Sequence, residues 1–229
     1  MMVLLACAFS FVSRSHSPMS CPANISASRA GGSLRSSRAS GFLESIVGSG
    51  KGNNHKLKAR VLELAQKTKR GLVETEEERE KMLMMFEKLE KLNPTKSPLA
   101  SPKTSGKWLL KYTTSDSILG RGGSERVGEI VQVLDIQGLK ASNAETRKLF
   151  GLFNLPVKVK AELTPTTSSL CAVQFKQFIF GGEKGLKFPA PESFKGSLDI
   201  TYVDEDLRLS RGDKGNIFVL VKESDDTSL

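Results

Sequence analysis

A chain of 229 residues with 38% apolar content is long enough to bury one good core and a smaller appendage. Its net charge of +9 suggests a nucleic-acid binder until it is located: residues 1–50 carry +3 and 51–70 carry +6, whereas 71–103 carry −1 and 104–229 only +1. The back half is nearly neutral and has no basic stripe interleaved with aromatics, which argues against nucleic acid as the main partner.

Residues 1–45 do not read as domain material. They are rich in serine, with Arg14, Arg29, Arg35 and Arg38 scattered among Ala and Gly, and the first acidic residue of the chain is Glu44. That composition predicts a disordered transit peptide of the chloroplast type. A mitochondrial leader, a secretory signal and a plain tail are the alternatives, since residues 3–12 form a short apolar run. The run is far too short to span a bilayer, and nothing later reads as a transmembrane helix. Cys7 and Cys21 fall in this leader and Cys171 stands alone in a strand, so no intrachain disulfide is expected.

Residues 51–93 change to a helical period. Leu57, Val61, Leu64, Ala65 and Thr68 form one stripe on a helix otherwise rich in Lys and Arg, ended by Gly71. Thr75 with Glu78 then gives a capping box, and Met82, Met85, Phe86, Leu89 and Leu92 form the stripe of a second helix that stops at Asn93-Pro94. The basic helix has two readings. Lys56, Lys58 and Arg60 suit an anionic membrane surface; the commoner arrangement, favoured here, is a solvated face whose stripe packs on its own domain.

Residues 94–105 read as an extended linker. Strands follow from 106 to 222, with 223–229 as a tail. Trp108, Leu110 and Tyr112 share a face of the first strand. The glycine-rich run 120–123 lacks the Gly-Lys-Ser/Thr continuation and the strand-to-helix setting of a phosphate loop, so it reads as a turn. Residues 129–136 and 138–143 predict a hairpin, and 157–163 alternate without a fault. In 170–180 the phase slips, which a bulge near Gln177 would explain. Residues 194–222 read as a three-stranded meander. Its last strand has Ile217, Val219 and Val221 on one face and Phe218 and Leu220 on the other, which points to a closed or tightly packed barrel. The predicted fold is therefore mainly β: an antiparallel up-and-down barrel of about eight or nine strands preceded by a helix pair.

The two histidines, His16 and His55, lie in the leader and just before the first helix, so no Ser–His–Asp or Cys–His site can be assembled inside the barrel. No Cys/His metal cluster and no cofactor motif is visible, and no catalytic residue is assigned. Asp204-Glu205-Asp206 is the densest carboxylate group, and it reads as a solvated turn. The expectation is a protein that is not an enzyme.

The stretch G-K-W-L-L-K-Y-T-T-S at 106–115 and L-D-I-T-Y-V-D-E-D-L-R-L-S-R-G at 198–212 resemble the two signature blocks of the plastid lipid-associated proteins, or plastid fibrillins. T-K-R-G-L at 68–72 and L-E-K-L-N-P-T-K-S-P-L at 89–99 resemble the helical lead-in of that family, in the same order. The ending S-R-G-D-K-G-N-I-F-V-L is most similar to the harpin-binding-like subgroup, whereas 121–136 and 150–156 match weakly. The resemblance implies a lipocalin-like barrel in the chloroplast, facing the stroma and peripheral to plastoglobules or thylakoids. It further implies binding or transport of an apolar molecule such as an isoprenoid quinone, a carotenoid or another lipid. The alternative is a structural coat or scaffold on lipid droplets with no internal ligand. Gly106 and Trp108 also resemble the Gly-x-Trp of lipocalins, in which an Arg covers the Trp near the barrel base; Arg208 and Arg211 are the candidates for that plug.

An eight-stranded barrel encloses room for side chains or one small ligand. Trp108, Leu110, Tyr112, Phe175, Leu198, Ile200, Tyr202, Leu209 and Phe218 are the candidate wall residues. Parity groups them on faces without telling which face is inside.

Overall fold

A computed structural model describes residues 49–229 apart from Gly122; the leader, with Cys7, Cys21 and His16, lies outside the described residues. Helices α1 (Ser49–Lys67) and α2 (Glu76–Lys91) form the expected pair. The chain reverses between them through Lys69, Arg70 and Gly71, all at positive φ. A Cβ on Gly71, at φ 98°, would lie 2.6 Å from the Thr113 carbonyl oxygen, so this turn can approach the barrel only with glycine. Helix α2 opens on the capping box: Thr75 Oγ1 accepts from the Glu78 N–H at 3.2 Å, and the Glu78 carboxylate accepts from the Thr75 N–H at 2.9 Å. Val61, Leu64, Ala65, Met82, Met85, Phe86 and Leu89 are buried. Leu92, expected in the same stripe, is 51% exposed, because the helix ends at Lys91 and the chain leaves its axis there.

The strands are β1 (Gly106–Thr113), β2 (Arg126–Asp135), β3 (Lys140–Leu149), β4 (Phe153–Pro165), β5 (Leu170–Phe180), β6 (Leu186–Pro189), β7 (Lys195–Val203), β8 (Leu207–Gly212) and β9 (Ile217–Ser224), with a one-turn helix α3 (Asp116–Leu119) between β1 and β2. Apart from β6 and β7, neighbours in sequence pair antiparallel, β9 returns to β1, and β5 pairs with β7 along Leu170–Gln174 and with β6 along Gln177–Phe180. The sheet thus closes into eight strands, and β6 is an extra short strand at one rim. Closure leaves the barrel no free edges except beside β6. The phase slip in β5 is a bulge: Lys160 faces Gln177 while Ala161 faces Phe175, which leaves Lys176 as the additional residue.

Both sides of the meander are covered, which is why β9 is apolar on both faces. Leu207, Leu209, Ile217 and Val219 pack beneath the helix pair in one cluster, whereas Leu220, with Phe218 against it, belongs to a second cluster inside the barrel. The helices therefore act as an outer sheath on β1, β7, β8 and β9.

One end of the barrel is shut. The linker predicted as extended folds instead into two short 3-10 turns, Pro98–Ala100 and Pro102–Thr104, with Pro98 and Thr104 buried. Each turn begins on a proline whose fixed φ suits a tight turn. Thr104 Oγ1 donates to the Pro98 carbonyl at 2.6 Å, the Leu99 N–H donates to Ser168 O at 3.0 Å, and Trp108 Nε1 donates to Thr104 O at 3.0 Å. The segment closes the bottom of the barrel. The opposite end carries the β1–β2 connection, the β3–β4 turn, the excursion through β6 and the β8–β9 turn.

Candidate functional site

Inside the barrel lies a cavity of about 180 Å³. Leu110, Ile130, Val157, Phe175, Leu198 and Phe218 are among its apolar walls, supplied by strands whose inward residues alternate with outward polar ones. Of the expected wall residues, Leu110, Phe175, Leu198 and Phe218 line this space. Trp108 and Ile200 belong to the same interior cluster but do not line the cavity; they pack with Cys171 and Val203 toward the closed end.

Tyr112, Tyr202 and Leu209 are corrections: all three lie on the outer side, beneath the helices. Leu209 is outward because β8 alternates without a break and presents Leu207, Leu209 and Arg211 to the helices, the face that parity left undecided; for the two tyrosines β-bulges are the reason. The register with β9 shifts between Leu110 and Tyr112, and the register of β7 with β8 shifts between Ile200 and Tyr202. Each bulge inserts one residue and turns the following side chains to the other face. The tyrosines then serve docking. Tyr112 Oη donates to Glu74 Oε2 at 2.5 Å, while Tyr202 Oη accepts from Asn54 Nδ2 at 3.3 Å and donates to the Asp204 carboxylate. Burial, reinforced by the neighbouring carboxylate, raises both phenols above their ordinary range.

At the floor, Arg208 is fully buried with its guanidinium 4.8 Å from the Trp108 ring centroid, so the plug is made by Arg208. Arg211 is not part of it. It points outward from β8, pairs with both carboxylate oxygens of Glu90 at 2.8 Å and stacks 5.1 Å from the Phe86 ring, clamping α2 to the barrel. Gly106 is required where it stands: at φ 127° a Cβ would meet Ser224 O at 2.5 Å. Burial brings the Arg208 guanidinium down to about 9, still above neutrality, so it stays a cation. Burial also pushes the Cys171 thiol up to about 11, which makes it an inert packing group.

The polar features of the lumen were not read from the sequence. Arg208 donates to Gln132 Oε1, and Gln132 Nε2 donates to Asn143 Oδ1 at 2.9 Å, an amide ladder that climbs from the plug into the cavity wall. Ser210, two residues along β8 on the same face, lines the cavity with a buried hydroxyl that has no partner among the described residues. Nearer the mouth, Glu145 receives Arg126 at 2.8 Å and Arg147 at 2.6 Å. These residues belong to β2 and β3, whose Glu, Thr, Arg and Lys content at 145–148 masks a strand that faces a partly polar lumen.

The surface residues divide. Lys58 pairs with Asp204 and approaches Asp206 at 3.9 Å with only 18% of its side chain exposed, so it is not available to a lipid headgroup; Lys56 and Arg60 are exposed. The helix stripe packs on the barrel, as the favoured reading had it. Asp204 is a turn cap, accepting from the N–H groups of Asp206 at 3.0 Å and Leu207 at 2.9 Å. Burial alone would raise its pKa, but the hydrogen bonds from Lys58, Tyr202 and these two N–H groups outweigh it and hold the carboxyl low. Among the described residues no helix is long and apolar enough to cross a membrane.

A sheathed, end-capped antiparallel barrel of eight strands around a largely apolar lumen defines the class of protein, a closed up-and-down β-barrel. Within it the assignment is narrower: the family model PAP_fibrillin matches residues 55–221, and the chain belongs to this plastid lipid-associated family. Similar proteins include "Probable plastid-lipid-associated protein 5, chloroplastic" of Arabidopsis thaliana, 34% identical over 75% of this chain and 70% of that protein. "Light-induced protein, chloroplastic" of Solanum tuberosum is 28% identical over 73% and 67%. "Chromoplast-specific carotenoid-associated protein C1, chromoplastic" of an Oncidium hybrid cultivar is 25% identical over 73% and 69%. No solved structure matches.

Proposed function

We propose that this chain binds a small hydrophobic molecule, a quinone, a carotenoid or another lipid, by one end in the barrel lumen, and carries or presents it at plastoglobule or thylakoid surfaces after a transit peptide has brought it into the chloroplast. The observation that carries this reading is the cavity of about 180 Å³ above the plug. Its size decides the manner of binding. Pockets that engulf a drug-sized ligand run to roughly 300–1,000 Å³, whereas about 150 Å³ accommodates a guest the size of benzene. A ring or a short chain segment fits, and the rest of a long isoprenoid extends through the mouth. Burial of apolar surface at about 25 cal/mol per Å² supplies the affinity, and the Gln132–Asn143 ladder with Ser210 offers a carbonyl or hydroxyl a place to hydrogen-bond. The role is physical, without turnover: the densest carboxylate group is occupied in capping a turn and holding α1.

A second reading, a droplet coat with no internal ligand, is favoured by the exposed apolar hairpin tips Phe150 and Leu152. Native mass spectrometry of the protein isolated from its organelle separates the two. A mass excess of one apolar molecule per chain supports carriage; bare chain mass from lipid-associated protein supports the coat.

A further inference from the structure

We infer that the chain docks on lipid mouth first, through the tips of the β3–β4 and β5–β6 hairpins and not through the basic helix. The four most exposed large apolar side chains among the described residues are Phe150 at 83%, Leu152 at 78%, Leu186 at 69% and Phe153 at 65%. All four stand at the open end of the barrel. The two hairpins are side by side, since the Gly181 N–H donates to Pro156 O at 2.9 Å and Leu186 pairs with Phe180, itself opposite Val157. Single exposed apolar residues are ordinary, but a cluster of aromatic and aliphatic tips on adjoining turns is a contact surface.

The occupant that fits is a lipid surface. Lys184 and Lys187 bracket Leu186, are exposed and enter no ion pair among the described residues; Lys148, beside the other tip, is half-buried and lies 3.7 Å from the Glu125 carboxylate. Apolar tips with lysines beside Leu186 match acyl chains below a headgroup layer. Glu183, 90% exposed in its side chain, adjoins Lys184 in sequence and lies 3.9 Å from Lys158, so insertion of the tips dominates and charge adds little. Lys56 and Arg60 belong instead to the half of α1 that reaches the closed end, where Asn54 and Lys58 contact Tyr202 and Asp204. The inference builds on the lumen reading for one point, that tips buried in lipid place the mouth where an apolar guest resides.

Flotation of the full chain with phosphatidylcholine vesicles, with and without phosphatidylglycerol, tests it. Replacing Phe150, Leu152 and Phe153 together by Ser is expected to lower vesicle binding by about tenfold or more, while Lys56→Glu with Arg60→Glu leaves it nearly unchanged. A Phe150→Trp variant is expected to shift its emission to the blue on adding vesicles. Undiminished flotation of the triple variant, or loss of flotation in the Lys56/Arg60 variant, overturns the inference. So does lipid-free self-association that the triple variant abolishes, which would make the tips a chain-to-chain contact. Binding of a water-soluble quinone analogue by the triple variant is expected to persist; that measurement reports on the lumen alone, so failure of docking and failure of ligand binding are told apart.

Discussion

The Arg208 guanidinium lies 4.8 Å from the centroid of the Trp108 ring, fully buried, with Nε and Nη1 unpartnered and with no carboxylate in ion-pair contact among the described residues. This cation closes the bottom of the barrel by packing and by its attraction to the indole face, which contributes about 2 kcal/mol when desolvated. Against that stands a desolvation cost of several kcal/mol per buried ion.

A consequence follows for its replacement. Arg208→Met keeps most of the volume and removes the charge, so its stability to urea is expected to equal or exceed that of the parent. Arg208→Ala leaves a void against Trp108 and is expected to cost about 3 kcal/mol. Met as damaging as Ala would show that the cation itself holds the plug together.

The helix sheath is expected to depend on Phe86, which is fully buried between α2 and the barrel and lies under the Arg211 clamp. Phe86→Ala should cost about 3–5 kcal/mol. The same variant should raise hydrophobic-dye binding as Leu207, Leu209 and Val219 become uncovered. A loss under about 1 kcal/mol would mean that the helices merely rest on the barrel.

Acid should loosen the start of α1. The Asp204 carboxyl is held below its ordinary value of about 3.9 in the folded chain. Its stabilisation is therefore complete above that value and disappears as the pH falls through the lower, folded-state value. Asp204→Asn, which keeps the turn but loses the pairing with Lys58, is expected to be about 1–2 kcal/mol less stable than the parent at neutral pH. Denaturation midpoints should converge as the pH drops below about 4. A gap that stays constant down to acid pH would assign the effect to the turn alone.

Much of this architecture was legible in the residues. The Thr75–Glu78 capping box, the 3.6-residue stripe from Met82 to Leu92 (buried as far as Leu89), the turns at 204–206 and 212–215 and the doubly apolar β9 lead to a closed barrel behind a helix pair. What parity could not carry was the inside–outside assignment. Tyr112 follows Leu110, and Tyr202 follows Ile200, in faultless alternation, yet a bulge in each interval sends the tyrosine outward. A bulge has no residue signature of its own at Lys111 or Thr201; it is set by pairing across the sheet. The linker hides its fold for a similar reason, since Pro98 and Pro102 look extended until Thr104 and Trp108 give them something to close against. The Gln132–Asn143 ladder and the Arg126–Glu145–Arg147 group were hidden because partners in them come from different strands.

The central claim is that the lumen accepts a guest, and the direct measurement is quenching of Trp108, the single tryptophan, during titration with a short-chain quinone analogue. Single-site saturation is predicted for the parent chain. It should be abolished by Ala161→Phe, which fills the space beside Phe175 and Phe194, and retained by the Lys56/Arg60 variant. Quenching that rises without saturating, and that is identical in Ala161→Phe, would contradict a guest-holding barrel.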